Sequence, residues 1–472
     1  MARRDYERRY LELKAYTEEV VKQLNEIRRG HIHIESLRIK YDIPQEAISY
    51  HHWRNRIYIF IGASFIGVAA VFFARLSDAS MALFQKVYDF NPLIPFALTP
   101  FGLLLVRWLT KRVFPGSEGS GIPQAIACTI GGDKEKLLGF RAGIGKVIGT
   151  NLALLCGGSV GREGPTVQVG AIISRFFFKI LKAPVHYSER SFILAGSAAG
   201  VSAAFNTPIA GIVFAIEELA KSFYERETSV LMMSIVVSGL CALAISGPYF
   251  YFGETQVGLS GWAQLYAIPI GLFSGLAGGF FSLFLVKGSA WMEGLSRRNA
   301  YLMTFVMGLM IAAIGYLSHG TTFGTGYAEA KSILGGTAHS DHYSLYKFAA
   351  TVLSYLCGVP GGIFSPTLSV GAGIGHWFLL LFQTDHVQAF VLLGMATFFS
   401  GVIRSPITAT IVVSEMTHNQ RMLLPLLMGA LVAYGVSRLV TKEPLYHVLA
   451  HRYPHSPPTP EEAPPPAPSS TL

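Results

Sequence analysis

What most limits the folds open to this chain is a series of apolar runs between Ile57 and Val440. They include Ile57 to Phe73, Leu93 to Val106, Val230 to Ile245, Tyr266 to Val286, Leu302 to Leu317 and Met422 to Val440. As helices, these runs reach or nearly reach across a hydrocarbon core of about 30 Å. A chain that is 51% hydrophobic and only 14% charged, with 49 glycines, cannot keep such runs in water. An all-α polytopic membrane protein is therefore expected. Other apolar segments, Ile122 to Ile130 and Phe364 to Ile374, stop at about half the spanning length. They read as half-crossing or re-entrant helices. Irregular backbone at membrane depth survives only inside protein or beside a wet cavity, because an unpaired amide in lipid costs several kcal/mol. A polar pathway should follow.

The net charge of +9 raises nucleic acid as a partner, but twelve Lys or Arg fall between Arg3 and Arg56, outside the apolar tract. That bias argues for a cytoplasmic N-terminus and against nucleic acid. Residues 1–56 read as a solvated, amphipathic helical segment without a signal peptide. Residues 451–472, with the Pro-rich run Pro457 to Pro468, read as a disordered cytoplasmic tail, with no soluble regulatory domain expected. Cys128, Cys156, Cys241 and Cys357 show no ligand spacing and read as buried free thiols. The His31 and His33 pair is too sparse for a metal site, and without a Walker A motif neither a cofactor nor ATP-driven transport is expected.

A two-fold repeat organises the membrane region. Gly161 to Phe177 and Gly362 to Phe378 share eight of seventeen residues, including Gly-x-x-x-Pro-Thr-x-x-Val-Gly-Ala. Phe192 to Glu217 aligns with Phe390 to Glu415 at nearly the same offset, pairing Gly196 with Gly394, Pro208 with Pro406 and Glu217 with Glu415. Glycines recur in membrane helices because they permit close packing, but that does not preserve spacing. Duplicated halves with broken helices meeting near the midplane are a common transporter plan. Identity alone leaves open whether the halves are parallel or inverted.

Three glycine-flanked segments precede short apolar helices: Gly119-Ser-Gly121-Ile-Pro123, Gly161-Arg162-Glu-Gly164-Pro165 and Gly361-Gly362-Ile-Phe-Ser-Pro366. Proline in the first helical turn forfeits no hydrogen bond, and the glycines allow sharp turns and close approach. Each segment thus supplies a helix N-terminus, with free amides and about half a positive charge. Several such ends aimed at one spot bind an anion weakly and reversibly, whereas a full positive charge would trap it.

Two acids depart from the repeat. Glu163 aligns with Phe364, and Glu218 with Met416, whereas Glu217 has its mate in Glu415. Glu217 therefore reads as a structural hydrogen-bonding group. An acid in the membrane that the shared architecture does not require is a functional candidate. Glu163 at a helix start is either a permanent cap or a carboxylate that occupies the anion site and leaves when protonated. Arg162 and Lys146 either raise the local potential for anions or serve surface ion pairs. Taken singly, Ser120 reads as an N-cap and Tyr446 as an interfacial aromatic.

The motifs GSGIP, GREGP and GIFSP in this order, followed by Tyr446 in EPLY, closely resemble the CLC chloride channel and transporter family. The match runs from about residue 57 to 450. The resemblance implies a CLC fold of about 18 tilted and partial helices in two inverted repeats, roughly 57–255 and 256–450. It further implies a homodimer in the lipid bilayer with one pathway per subunit. Carried over by residue, it implies a bound chloride between the Ser120 hydroxyl and the Tyr446 phenol, completed by the Ile363 and Phe364 amides. It makes Glu163 the external gate and proton acceptor and Glu218 the internal proton-transfer acid, since exchangers tend to keep an acid there. Chloride/proton antiport in a prokaryotic plasma membrane, with both termini cytoplasmic, is the function it implies. A passive chloride channel is the nearest rival. A fluoride-selective relative is disfavoured by the Ser120 and Tyr446 pair, and nitrate by Ser rather than Pro at position 120. The chain departs from the pattern in its long N-terminal segment, in its Pro-rich tail and in Glu118, whose charge is expected to slow anion entry. A Gly-x-Ser-Gly tetrapeptide at Gly258 to Gly261 leaves an intramembrane hydrolase as a remote reading, without a histidine at helical spacing to Ser260.

Overall fold

The computed structural model describes residues 50–181, 188–219, 228–247, 251–337 and 340–453. The expected N-terminal segment up to residue 49, with His31 and His33, and the tail from residue 454 lie outside the described residues. The chain divides into two units, Met1–Tyr58 and Ile59–Leu472, and the second carries the site.

The first half comprises α1 (Tyr50–Phe90), α2 (Pro95–Arg112), α3 (Ile122–Thr129), α4 (Lys134–Leu137), α5 (Phe140–Leu155) and α6 (Glu163–Leu181). It continues through α7 (Glu189–Phe205), α8 (Pro208–Phe214), a π-helical turn at Ala215–Leu219 and α9 (Thr228–Ser246). A 3-10 turn at Gly261–Tyr266 opens the second half, with α10 (Ala267–Gly294), α11 (Arg297–Leu317), α12 (Tyr327–Leu334) and α13 (Tyr343–Leu356). It ends in α14 (Phe364–Phe382), α15 (Val387–Ile403), α16 (Pro406–Met416), α17 (Leu423–Val440) and α18 (Leu445–Ala450). Among the described residues, the stretches Arg56–Phe90, Gly261–Gly294, Arg297–Leu317, Phe364–Phe382 and Leu423–Val440 are long and apolar enough to cross a membrane.

The two segments expected to be short behave differently. α3 does stop after eight residues, because Gly131 turns at φ +100° and the Gly132 amide closes back on the Ala127 carbonyl at 2.7 Å. The segment from Phe364 does not stop at Ile374. It runs on through Trp377, Leu380 and Phe382 for 19 residues, since Gly375 and His376 interrupt the apolar pattern without breaking the backbone. The thiols also need one correction: Cys128, Cys156 and Cys357 are buried, whereas Cys241 is half-buried and points its Sγ at the Ser64 carbonyl.

The halves are inverted about a local two-fold axis that the hydrogen bonds trace. Gly161 and its repeat mate Gly362 form an antiparallel bridge and exchange both amide bonds, at 2.6 and 2.7 Å. The Glu217 carboxylate accepts from the Ile407 and Thr408 amides at the start of α16, and Glu415 accepts from Ile209 and Ala210 at the start of α8. Each shared acid thus caps the other half's helix, which is the structural role expected for Glu217.

Glycine contacts repeat as well. A Cβ on Gly170 would lie 2.2 Å from the Gly196 carbonyl, and one on Gly371 would lie 2.5 Å from the Gly394 carbonyl. α6 on α7 and α14 on α15 therefore meet backbone to backbone. Gly371→Ala is expected to lower the melting temperature of the detergent-solubilised protein, with an overpacking cost of about 1–3 kcal/mol. Gly435→Ala, where nothing lies within 4 Å, should leave it unchanged or raise it. Equal melting of the two variants would refute the close contact.

Candidate anion and proton site

The three glycine motifs converge on one knot of backbone. The Gly119 amide donates to the Val359 carbonyl at 3.2 Å, and the Gly361 amide returns to the Gly119 carbonyl at 3.0 Å. Gly161 and Gly362 bond to each other, and each leaves room for the other half's proline: the Cβ positions lie 3.1 Å from Pro366 and Pro165 respectively. Gly119 and Gly121 take φ +63° and +104°, so the turn into Pro123 and α3 needs glycine at both. A Cβ on Gly121 would meet the Gly164 carbonyl at 2.6 Å, and one on Gly164 would meet the Ser120 hydroxyl at 2.5 Å.

Lys146, fully buried on α5, pins this loop by donating to the Glu118 and Gly119 carbonyls at 3.1 and 2.8 Å. A surface ion pair is therefore excluded for Lys146. Its mirror image was not foreseen. Lys347, fully buried on α13, donates to the Thr322 and Gly324 carbonyls at 2.9 and 2.8 Å. Lys347 stands 201 positions after Lys146, the interval that also separates Gly362 from Gly161, and Gly324-Thr-Gly326 echoes Gly119-Ser-Gly121. Arg162 turns away from the knot to the Asp78 carboxylate and the Ala74 carbonyl, so it does form an ion pair. The Glu118 carboxylate is occupied by the Gly116 amide and by Lys111 at 3.5 Å.

At the knot, the Ser120 hydroxyl faces the Tyr446 phenol without meeting it in a full hydrogen bond. Both side chains are at most 1% exposed, and α18, which carries Tyr446, packs on α3. α14 begins beside them at Ile363 and Phe364, and no side chain caps its N-terminus among the described residues. Leaving a buried donor unsatisfied costs about 1–3 kcal/mol, so paired hydroxyls at an uncapped helix end fit a small anion as their acceptor. Apolar rings wall the place: Phe364 packs on Phe205 and Phe399 at 4.6 and 4.1 Å between centroids.

Glu163 leads α6 and is 1% exposed. Its Oε1 accepts from the Ser365 hydroxyl at 2.5 Å and the Tyr251 phenol at 3.1 Å. Its Oε2 bends back over Gly161, where a Cβ would stand 2.5 Å away, and has no hydrogen-bond partner among the described residues. The second acid outside the repeat, Glu218, is 2% exposed and its Oε2 accepts from the Ser405 hydroxyl at 2.6 Å. Glu218 lies on the π-turn, whereas the equivalent stretch of α16 stays α-helical up to Met416. The extra residue per turn breaks the repeat at the acid the repeat does not share. The Tyr446 phenol stands within Coulombic reach of both Glu163 and Glu218.

The structure thus gathers Ser120, Glu163, Ile363, Phe364 and Tyr446 around one spot, with Glu217 and Arg162 engaged elsewhere. Sequence reasoning missed Tyr251, Ser365, Ser405 and Lys347. Lys347 left a signal through its interval and the Gly-Thr-Gly echo, and Ser365 left one as a hydroxyl where the other half has Gly164. Ser260 of the Gly-x-Ser-Gly tetrapeptide is an exposed residue opening the 3-10 turn.

Comparison with known proteins gives the family and the fold. The family described as voltage gated chloride channel matches residues 101–438. The H(+)/Cl(-) exchange transporter ClcA of Vibrio cholerae is 29% identical over 391 residues, covering 78% of this chain and 82% of the relative. A slow cyanobacterial Cl-/H+ antiporter of known structure superposes with a TM-score of 0.75 at 25% identity, over 84% of this chain and 97% of that one. A CLC-type fluoride/proton antiporter shares the fold, with a TM-score of 0.70 at 23% identity, over 84% and 98%.

Proposed function

This chain belongs to the voltage gated chloride channel family, and from that premise we propose that it is an integral membrane antiporter exchanging chloride for protons. The observation that carries the reading is a pair of buried acids outside the repeat, Glu163 and Glu218, each held by a hydroxyl donor, together with the buried Tyr446 phenol that faces Ser120. Chloride is held by the Ser120 and Tyr446 hydroxyls and the Ile363 and Phe364 amides, all neutral donors, so it binds without being trapped. Ionised Glu163 competes for that place, and a proton releases it. Glu218 passes protons toward the cytoplasmic side, with the Ser405 hydroxyl orienting its carboxylate. Competition for one site couples the two ions, because each changes the free energy of binding the other.

The similarity to the H(+)/Cl(-) exchange transporter ClcA supports exchange over passive conduction. The Ser120 and Tyr446 pair supports chloride over fluoride. The working unit is a homodimer with one pathway per subunit, in a prokaryotic plasma membrane with both termini cytoplasmic.

Proteoliposomes followed with chloride and pH electrodes test the reading. A chloride gradient alone should drive protons uphill, and a chloride leak without proton movement would identify a channel instead. In the same assay Glu218→Gln should bring proton flux to background while chloride flux continues. Sustained proton pumping by that variant would remove Glu218 from the pathway.

A further inference from the structure

Two side chains that the exchange reading leaves without a task converge on Glu163. Tyr251, in the loop after α9, is 2% exposed and donates its phenol proton to Glu163 Oε1. Its ring sits edge-on to Phe205, Phe252 and Tyr327, at 5.6, 5.2 and 4.7 Å between centroids. A phenylalanine would fill that nest equally well, so the phenol oxygen has its use in Glu163 and in Ser365, 3.5 Å away. Ser365 stands where the other half has Gly164, so the shared architecture does not require its hydroxyl.

The loop is fastened to the second half. Tyr327 donates its phenol proton to the Tyr251 carbonyl at 2.5 Å, and the Phe252 and Thr255 amides donate to the Met416 and Thr417 carbonyls at 3.1 and 3.0 Å. The Asn419 amide group donates to the Thr255 hydroxyl. The phenol is thus a fixed point against which the acid moves.

We propose that Tyr251 and Ser365 form a two-hydroxyl latch that holds the ionised Glu163 carboxylate inserted, and so set the pH and rate at which the gate opens. The latch rests on Glu163 being the gate. Hydrogen bonds to an ionised acceptor are about twice as strong as neutral ones, so both hydroxyls favour the charged, inserted carboxylate. Removing either donor makes protonation easier, and the gate then opens at higher pH. Among the described residues, the other titratable groups near Glu163 are Arg162, paired with Asp78; Tyr446 from α18, which also feels Glu218; and Lys146 on α5, bound to carbonyls. Arg162 and Lys146 are anchored by those partners, so substitutions at Tyr251 and Ser365 leave them in place.

Chloride efflux from proteoliposomes across a pH series reads the latch. Tyr251→Phe should speed efflux at neutral pH and move its pH midpoint up by about one unit, a tenfold change in the protonation equilibrium. Ser365→Ala should move it the same way, and Ser365→Thr should return it. In a Glu163→Gln background, adding Tyr251→Phe should change nothing. Unmoved midpoints in Tyr251→Phe and Ser365→Ala, or an equal shift with and without the acid, would overturn the latch. Proton movement surviving in Glu163→Gln alone would instead remove the gate reading on which it rests.

Discussion

Glu163→Gln is expected to abolish proton movement while chloride continues to cross. The glutamine keeps the shape of the acid, and its carbonyl oxygen still accepts from Tyr251 and Ser365, so the knot around α6 should survive. What it loses is the ionised form that competes for the anion place and the oxygen that carries a proton. Arg162, the nearest cation in sequence, is engaged by Asp78 rather than by the native carboxylate. The charge of Glu163 is therefore held by hydroxyl donors and the α6 N-terminus rather than by a neighbouring cation. In proteoliposomes, simultaneous chloride and pH recordings should show proton flux at background and chloride flux that no longer depends on pH. Retained coupling in this variant would show that the proton route runs elsewhere.

Gly164→Ala is expected to weaken chloride binding rather than coupling. The added methyl would stand 2.5 Å from the Ser120 hydroxyl and 2.8 Å from the Ser120 carbonyl. The carbonyl cannot retreat, because Gly119 and Gly121 hold the loop at positive φ and Lys146 clamps the Gly119 carbonyl, and the hydroxyl can do so only by rotating out of its present position beside the Tyr446 phenol. Overpacking costs about 1–3 kcal/mol, and each 1.4 kcal/mol is tenfold in affinity, so chloride affinity should fall by about tenfold or more. Isothermal titration of chloride into the detergent-solubilised protein measures this directly. Both fluxes should fall together. Near-native affinity would mean that Ser120 does not line the anion place.

Much of the membrane architecture was legible in residue order. Long unbroken apolar runs mark helices because lipid requires every backbone group to be paired within the segment or in a closed barrel, whose strands alternate, and the duplicated Gly-x-x-x-Pro-Thr motif marks paired helix starts. The alignment also separated Glu163 and Glu218 from Glu217, and the capping bonds of Glu217 agree with that separation. Where reading failed, the cause was local ambiguity or distance. The run from Phe364 was cut short because polar residues in a helix interior resemble an end. Lys146 stayed open between an anion-attracting charge and a surface ion pair because nothing nearby in sequence reveals a carbonyl pair waiting at full burial.

Hydropathy and spacing are properties of neighbouring residues, so composition and pattern were enough to set the lipid habitat, the duplication, the helix N-termini and the two acids outside the repeat. The inversion of the halves and the pairing of Ser120 with Tyr446 came only through the motif resemblance, and the hydroxyls on Glu163 belong to the folded chain alone. Tyr251 and Ser365 reach that acid across 88 and 202 positions. A contact over such a distance leaves no periodicity in either segment, and only the packing of one half against the other creates it.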